Sequence, residues 1–280
     1  MKSKLLLVVL FFGFYAGAWH FGKLRSMPSS SPQLEVPGNA PQFSLFSWNI
    51  GYFDYQGDTR AQDRDLEHVA SVIAEESPDI VALQEIAEPE QLNRLSEQLR
   101  GQYPYQAIAR GFRTDRHVAF LSKQTFLDEA QIATAVGRDA LAVTVEALKR
   151  TVALTFVNCH ADAFNARRRR FFVNDLIDWH RDSGKQQVVL TGDFNLDLAP
   201  VESSDLFTDD KKNDSESYSL LLEDFRDVGR NSGSTSVFDR RIDYVFLASR
   251  ELEVVEFKVL YGKLVGRMDH HPLLVRFRRE

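Results

Sequence analysis

The chain is poor in cysteine and in positive charge, and each shortage excludes something. Its single cysteine in 280 residues is Cys159, which rules out an intramolecular disulfide framework and a thiolate metal cluster. Any metal used here takes oxygen or imidazole ligands. Lys and Arg number 34 against 40 Asp and Glu, a formal charge of −6, and no extended basic insertion occurs. That argues against affinity for nucleic acid through a broad basic surface, while leaving local phosphate chemistry open. Internal repeats are absent. With 44% hydrophobic and 26% charged residues, the chain is neither disordered nor fibrous.

The one long apolar run lies at the N-terminus. Lys2 and Lys4 precede an uninterrupted apolar stretch over residues 5–14, followed by small residues at Ala16 and Ala18, the pattern of an export signal. Cleavage after Ala18 is the preferred reading; it removes two lysines and no acid, taking the formal charge from −6 to −8. The competing reading is an uncleaved anchor over residues 5–21, which His20 interrupts and which is short against the roughly 20 residues of a spanning helix. Either way the remainder is exported, to a periplasmic or extracellular space or held at the membrane. Residues 1–25 are thus a signal peptide or anchor. Residues 26–42, with Pro28, Pro32, Pro37 and Pro41, read as a Ser/Pro-rich linker. Residues 43–280 form one domain, expected to be a monomer.

Within that domain, strands are expected over residues 43–50, 80–84, 118–121, 141–148, 151–158, 187–191, 242–247, 253–260 and 273–277. The fourth and fifth are joined as a hairpin across Lys149-Arg150. Leu66, Val69, Ala70 and Ile73 mark one amphipathic helix, Leu92, Leu95 and Leu99 a second, and Phe172, Leu176 and Trp179 a third. Residues 197–219, with the charged cluster 209–214, read as an exposed loop. Many strands and few helices suggest an α/β protein of two sheets packed face to face with helices outside.

Polar residues recur where these strands end: Trp48-Asn49-Ile50, Leu83-Gln84-Glu85, Asn158-Cys159-His160 and Gly192-Asp193-Phe194-Asn195. Arg241-Ile242-Asp243-Tyr244 and Met268-Asp269-His270-His271-Pro272 follow near the C-terminus. Singly, such residues mostly close turns. Together they supply hard oxygen ligands, two imidazoles and a spare carboxylate, a set suited to Mg²⁺-assisted attack of water on a phosphoester. In this order the six motifs resemble the endonuclease/exonuclease/phosphatase superfamily, typified by deoxyribonuclease I and exonuclease III and including sphingomyelinases and inositol-phosphate phosphatases.

The resemblance implies a four-layered α/β sandwich, two packed mixed β-sheets flanked by helices. It implies that Glu85 is the principal ligand for Mg²⁺ or Mn²⁺, with Asn49 and Asp269 completing the metal environment directly or through water. Asp193 and Asn195 would orient the nucleophilic water and a phosphate oxygen. His270 paired with Asp243, and His160, would be the two imidazoles, and whether Asp193 or His270 takes the water's proton stays open. Cys159 stands where the family often has Thr, and reads as a small buried residue. The expected activity is an exported phosphodiesterase acting on a phospholipid or head-group phosphate or on nucleic acid. A non-catalytic binding protein that keeps the fold is the alternative, against which all of Asn49, Glu85, Asp193, Asn195, Asp243 and His270 are present. Arg167 to Arg170 open a helix where positive charge opposes the macrodipole, and are either a phosphate contact or a solvated face. Arg110, Arg113 and Arg116, in the loop before the strand at 118–121, are explained as well by turn polarity as by binding. Cleavage of the first segment predicts an exported protein whose mass lacks residues 1–18; an intact mass identifies an anchor.

Overall fold

The computed structural model describes residues 42–51, 59–109, 116–138, 140–148, 152–198 and 210–280. The export or anchor segment, the linker up to residue 41, the Lys149-Arg150 turn, Arg110 and Arg113 lie outside the described residues. Among the described residues, no helix is long and apolar enough to cross a membrane.

Strands β1 (Gln42–Asn49), β2 (Ile80–Ile86), β3 (Tyr105–Ala109), β4 (His117–Ser122), β11 (Leu252–Val259) and β12 (Leu273–Arg279) form one sheet, in the order β11-β12-β1-β2-β4-β3. The second sheet runs β5-β6-β7-β8-β10-β9, from β5 (Phe126–Ile132), β6 (Ala140–Ala147), β7 (Val152–His160), β8 (Val188–Asp193), β9 (Arg226–Asp227) and β10 (Asp243–Ala248). Helices α1 (Thr59–Glu76) and α2 (Pro89–Gln98) cover the first sheet; α3 (Ala166–Ser183) and α4 (Lys211–Asp224) cover the second.

Three apolar layers hold these four together. Along β1, Phe43 and Leu45 point to the space between the sheets and meet Phe156, Val189 and Val245 there, while Phe46 and Trp48 pack under Leu66, Val69 and Leu92 of the helices. This is the period of two that a strand imposes. On the other side Val157, Leu190 and Phe246 pack under Phe172, Val173 and Leu176 of α3. The expected four-layered sandwich is the fold.

Each sheet has a parallel pair at its centre, β1 with β2 and β7 with β8, flanked by antiparallel neighbours. The carboxyl ends of all four parallel strands therefore lie at one edge. So do the starts of β10 and β12, which run the opposite way. The edge is locked by amides: Gln84 Nε2 donates to Asn158 Oδ1 across the sheets (2.7 Å), and Asn158 Nδ2 donates to the Leu83 and Ala119 carbonyls (2.9 and 2.8 Å).

One expectation fails. The polar run expected as an exposed loop turns at Asp210, whose side chain caps α4 by accepting from Lys212 N (3.0 Å), and residues 211–224 are helical. The reason is a buried ion pair. Arg169 of α3 donates through Nε and Nη2 to Asp214 of α4 (2.7 and 2.8 Å), both side chains fully buried. Arg169 also donates to the Asp162 carbonyl (2.9 Å). Its neighbours are spent at the surface: Arg168 pairs with Asp162 and Arg170 with Glu216. The arginine run therefore serves first to join two helices. Arg169→Met, leaving Asp214 buried and unpaired, should cost about 3–5 kcal/mol in urea unfolding. Arg168→Ala, at a half-exposed pair, should cost less than about 1 kcal/mol, and the double variant Arg169→Met/Asp214→Leu should recover most of the loss.

Candidate active site

The six motifs meet at the shared edge. His160 is in register with Asp193 on the parallel neighbour, and Asp193 with Asp243 on the antiparallel one. Gly192 makes that closeness achievable. Its φ is +126°, and a Cβ there would lie 2.1 Å from the Cys159 carbonyl oxygen, so β8 approaches β7 as only glycine permits. Cys159 itself is fully buried, and burial pushes its thiol up, as expected for an inert core residue.

Two site residues sit in left-handed backbone, Glu85 at φ +61° and Asn195 at φ +51°, each at a cost of about 1–3 kcal/mol. Glu85 occupies a register shift between Leu83 and Ile86 in the β2–β4 pairing, and the bulge releases it from the ladder. Asn195 is held by its N–H donating to Asp193 Oδ1 (2.9 Å) and its amide donating to the Ala161 carbonyl (3.3 Å).

Asn49 bridges the sheets. Its Oδ1 accepts from Gly51 N (3.0 Å), which turns Nδ2 toward Asp193 Oδ2 (3.0 Å) and Glu85 Oε1 (3.4 Å). Asn49 thus meets the carboxylates as a donor. His270 Nδ1 lies 2.9 Å from Asp243 Oδ2, and its Nε2 lies 3.7 Å from both Asp193 Oδ2 and Asp269 Oδ1. His160 Nε2 is 3.6 Å from Glu85 Oε1 and 3.7 Å from Asp193 Oδ2. All eight expected site residues, Asn49, Glu85, His160, Asp193, Asn195, Asp243, Asp269 and His270, are therefore joined by contacts within this one cluster.

Two arginines join them. Arg116 Nη1 donates to Glu85 Oε1 (3.1 Å), and Arg138 Nη1 lies 3.4 and 3.5 Å from the two ring nitrogens of His160. Sequence explains Arg116 as well by turn polarity as by binding, and no motif marks Arg138. Its signal was the hairpin register: continuing the pairing of Leu141 with Asn158 back along β6 brings residue 138 beside His160.

Charge separates the two imidazoles. Burial, helped by Arg138, Arg116 and the cationic His270, holds His160 well below its ordinary range, so it is neutral. Burial alone would lower His270 as well, but Asp243, Asp193 and Asp269 together override it and hold the imidazolium well above its ordinary range. Asp193 is pushed up to about 7 by burial, against the pull of His270 and with the help of Asp243 and Glu85. Asp269 is raised by burial too, with Glu85 and Asp243 adding to it against His270.

These residues fit a hard divalent cation. One ligand atom from each of Asp193, Asp243 and His270 lies within 4.8 Å of the others, but Asp243 and His270 are spent on each other. Glu85, which also meets Arg116 and Asn49, and Asp269 add the carboxylate oxygens that Mg²⁺ prefers. Carboxylates so crowded that one holds a proton near neutrality have a deficit of positive charge that such an ion removes.

The family model described as the Endonuclease/Exonuclease/phosphatase family matches residues 46–265. The chain belongs to this family. Its members are phosphoester hydrolases and depend on divalent metal. The matched stretch ends just before Asp269 and His270, which the fold brings back to the edge. No curated relative matches by sequence. Among solved structures, a family protein from Beutenbergia cavernae superposes with TM-score 0.67 at 21% identity, covering 85% of this chain and 72% of that one. The human Nocturnin catalytic domain with bound sulfate gives 0.64 at 18%, covering 86% and 94%. The mannosyl-6-phosphatase of Bacteroides thetaiotaomicron gives 0.64 at 16%, covering 84% and 99%. At these identities the likeness is one of fold.

The raised Asp193 carboxyl makes stability depend on pH. Unfolded, an Asp releases its proton near pH 4; folded and metal-free, Asp193 keeps it to about 7. The folded chain therefore binds the extra proton between those values, and Asp193 lowers stability as pH rises through that window. His160, held low, pulls the opposite way below its unfolded pKa, so the comparison with Asp193→Asn separates the two. Metal-free wild type should lose stability relative to Asp193→Asn as pH rises from about 4 to 7, read as urea midpoints.

Proposed function

We propose that the protein is an exported, Mg²⁺-dependent phosphodiesterase, and that its substrate is a phospholipid or head-group phosphodiester in preference to nucleic acid. The observation that carries the reaction is the placement of both imidazoles on one carboxylate oxygen: His160 Nε2 and His270 Nε2 each lie 3.7 Å from Asp193 Oδ2, in environments that push their pKa values in opposite directions. Groups whose environments push their pKa values apart are suited to opposite proton-transfer roles.

Asp193, pushed up to about 7, is matched to accepting a proton from an attacking water near neutral pH. Its Oδ1 is oriented by the Asn195 N–H and its Oδ2 by the Asn49 amide. Asn195 is placed to hold a phosphate oxygen. His270, kept cationic by Asp243, offers Nε2–H to charge developing at phosphorus or on the leaving oxygen. As a charged imidazolium it is the weaker candidate for base, so Asp193 takes that role. Neutral His160 offers a hydrogen bond, and Arg138 and Arg116 bring positive charge to the rim. When bound at Glu85 and Asp269, the divalent ion supplies Lewis-acid neutralisation of the phosphate oxygens.

A diester carries one ionised oxygen where a monoester carries two, and so loads a site rich in carboxylates less. Formal charge of −6 and the absence of a long basic insertion favour a lipid phosphate over a duplex. Export rests on the apolar run at residues 5–14 and the small residues after it.

The purified chain should hydrolyse an activated phosphodiester only with divalent metal present, and Asp193→Ala and His270→Ala should each lower turnover by at least about 10²-fold. Activity that survives both EDTA and Asp193→Ala sinks the proposed site. A panel of plasmid DNA, RNA, sphingomyelin and phosphoinositides should show turnover of a lipid; DNA or RNA alone would reassign the substrate.

A further inference from the structure

The exposed large apolar side chains among the described residues fall into two pairs at opposite ends of the sandwich. Tyr105 and Leu127, 40% and 51% exposed, lie at the end away from the catalytic edge, where β3 and β5 begin; Phe164 and Phe171, 69% and 43% exposed, lie beyond His160 at the end of β7 and on the first turns of α3. Their surroundings differ in charge. Leu127 is followed by exposed Asp128, paired with Lys185, and by exposed Glu129, whereas exposed Arg167 and Arg168, the latter also paired with Asp162, stand between the two phenylalanines. The Arg167 guanidinium sits over the Phe171 ring at 5.5 Å from its centroid.

Phe164 is presented by a rigid loop. Asp162 Oδ1 accepts from the N–H groups of Phe164 and Asn165 (3.0 and 2.9 Å), and Asn165 caps α3 by accepting from Arg168 N (2.9 Å). The Asp162 carbonyl is gripped by Arg169, itself locked to Asp214. Ala161 N donates to the Asp193 carbonyl (2.8 Å), so the loop is fixed to the catalytic strands. Phe164 is four steps along the chain from His160, at most about 14 Å. These bonds fix the backbone that carries Phe164, and its ring, 69% exposed, stands in water beside the catalytic edge.

We propose that Phe164 and Phe171, with Arg167 and Arg168 between them, form a contact for the surface of an anionic phospholipid bilayer. Aromatic rings beside arginines match such an interface: the rings enter the boundary below the head groups while the guanidinium groups meet their phosphates. Charge selects this end over the other, because Arg167 is drawn to such a surface while Glu129, beside Leu127, is repelled by it. The N-terminal segment brings the domain past a membrane whether it is cut or kept. The chain enters β1 at Gln42, the end away from the site, so the catalytic edge is the end opposite the point of entry. Contact through Phe164 and Phe171 then sets that edge against the lipid phosphates. This last step rests on the phospholipid reading above; the contact itself does not.

The test needs no catalysis. Cys159 is the single cysteine and is fully buried, so Phe164→Cys and Leu127→Cys variants of the purified chain each take an environment-sensitive fluorophore at one position. With vesicles of phosphatidylcholine and phosphatidylglycerol, the label at 164 should shift to the blue and the label at 127 should not. Raising the phosphatidylglycerol fraction should strengthen the shift, and Arg167→Glu should weaken it. No shift at 164, or equal shifts at both positions, overturns the proposal. A shift at 164 with a single-stranded oligonucleotide and none with vesicles overturns it in favour of a base-stacking contact. A shift at 164 with vesicles in a protein that hydrolyses no phosphodiester supports the contact and refutes only the reaction proposed above.

Discussion

The site depends on a polar contact that joins the two sheets beneath it. Apolar packing between Phe43, Leu45, Phe156 and Val189 presses the sheets together but is non-directional, and would leave them free to slide by an ångström or more. Gln84 and Asn158 end that freedom. Their side chains are fully buried and pair across the gap, and the Asn158 amide also takes two backbone carbonyls of the first sheet. Buried amides of this kind are costly unless bonded and strongly directional once they are. One layer nearer the surface, Asn49 repeats the crossing by donating to Asp193. Half of the chemistry comes from each sheet, so the alignment of the sheets is the alignment of the site.

That alignment concentrates negative charge where little water remains. Glu85, Asp193, Asp243 and Asp269 stand within a few side chains of one another, and only part of their charge is met by His270 and Arg116. The raised Asp193 carboxyl and the left-handed backbone at Glu85 and Asn195 are two expressions of one fact: the edge is held in an arrangement that folding alone does not favour. The rest of the sandwich supplies the rigidity that keeps it so.

The central strands and the motifs were legible in the sequence because burial leaves a strong mark. β1, β2, β7 and β8 are apolar on both faces, and their polar ends stand out against that background. Of the four edge strands, β11 was expected over residues 253–260, while β3, β5 and the two-residue β9 were not legible. β5 reads Phe-Leu-Asp-Glu-Ala-Gln-Ile and β3 is half polar, since an edge must discourage pairing with other chains. α4 was hidden for another reason: residues 211–217 are polar, its leucines come only at 220–222, and its first turns are held by Asp214 meeting an arginine 45 positions earlier. Reading also gave too much to the motifs as units. Gln84 and Asn158 lie within them and serve the sheet contact, while Arg116 and Arg138, outside them, reach Glu85 and His160.

Strand direction explains why six scattered motifs meet. In an open α/β sheet, the carboxyl ends of parallel strands carry the ligand site, and here each sheet has one such pair, β1 with β2 and β7 with β8. Antiparallel β10 and β12 then present their first residues at the same edge. A residue serves this site by ending a parallel strand or beginning an antiparallel one, and Asn49, Glu85, His160 and Asp193 obey the first condition while Asp243, Asp269 and His270 obey the second. The loop after β7 obeys it as well, which is why the aromatic and cationic residues 164–171 lie beside the chemistry and the other exposed pair does not. Moving that loop's surface to the opposite edge of the second sheet, where β5 begins, would separate surface recognition from the phosphate site by the length of a strand. The topology therefore constrains where a contact that selects substrate can be placed, as tightly as it constrains the catalytic groups themselves.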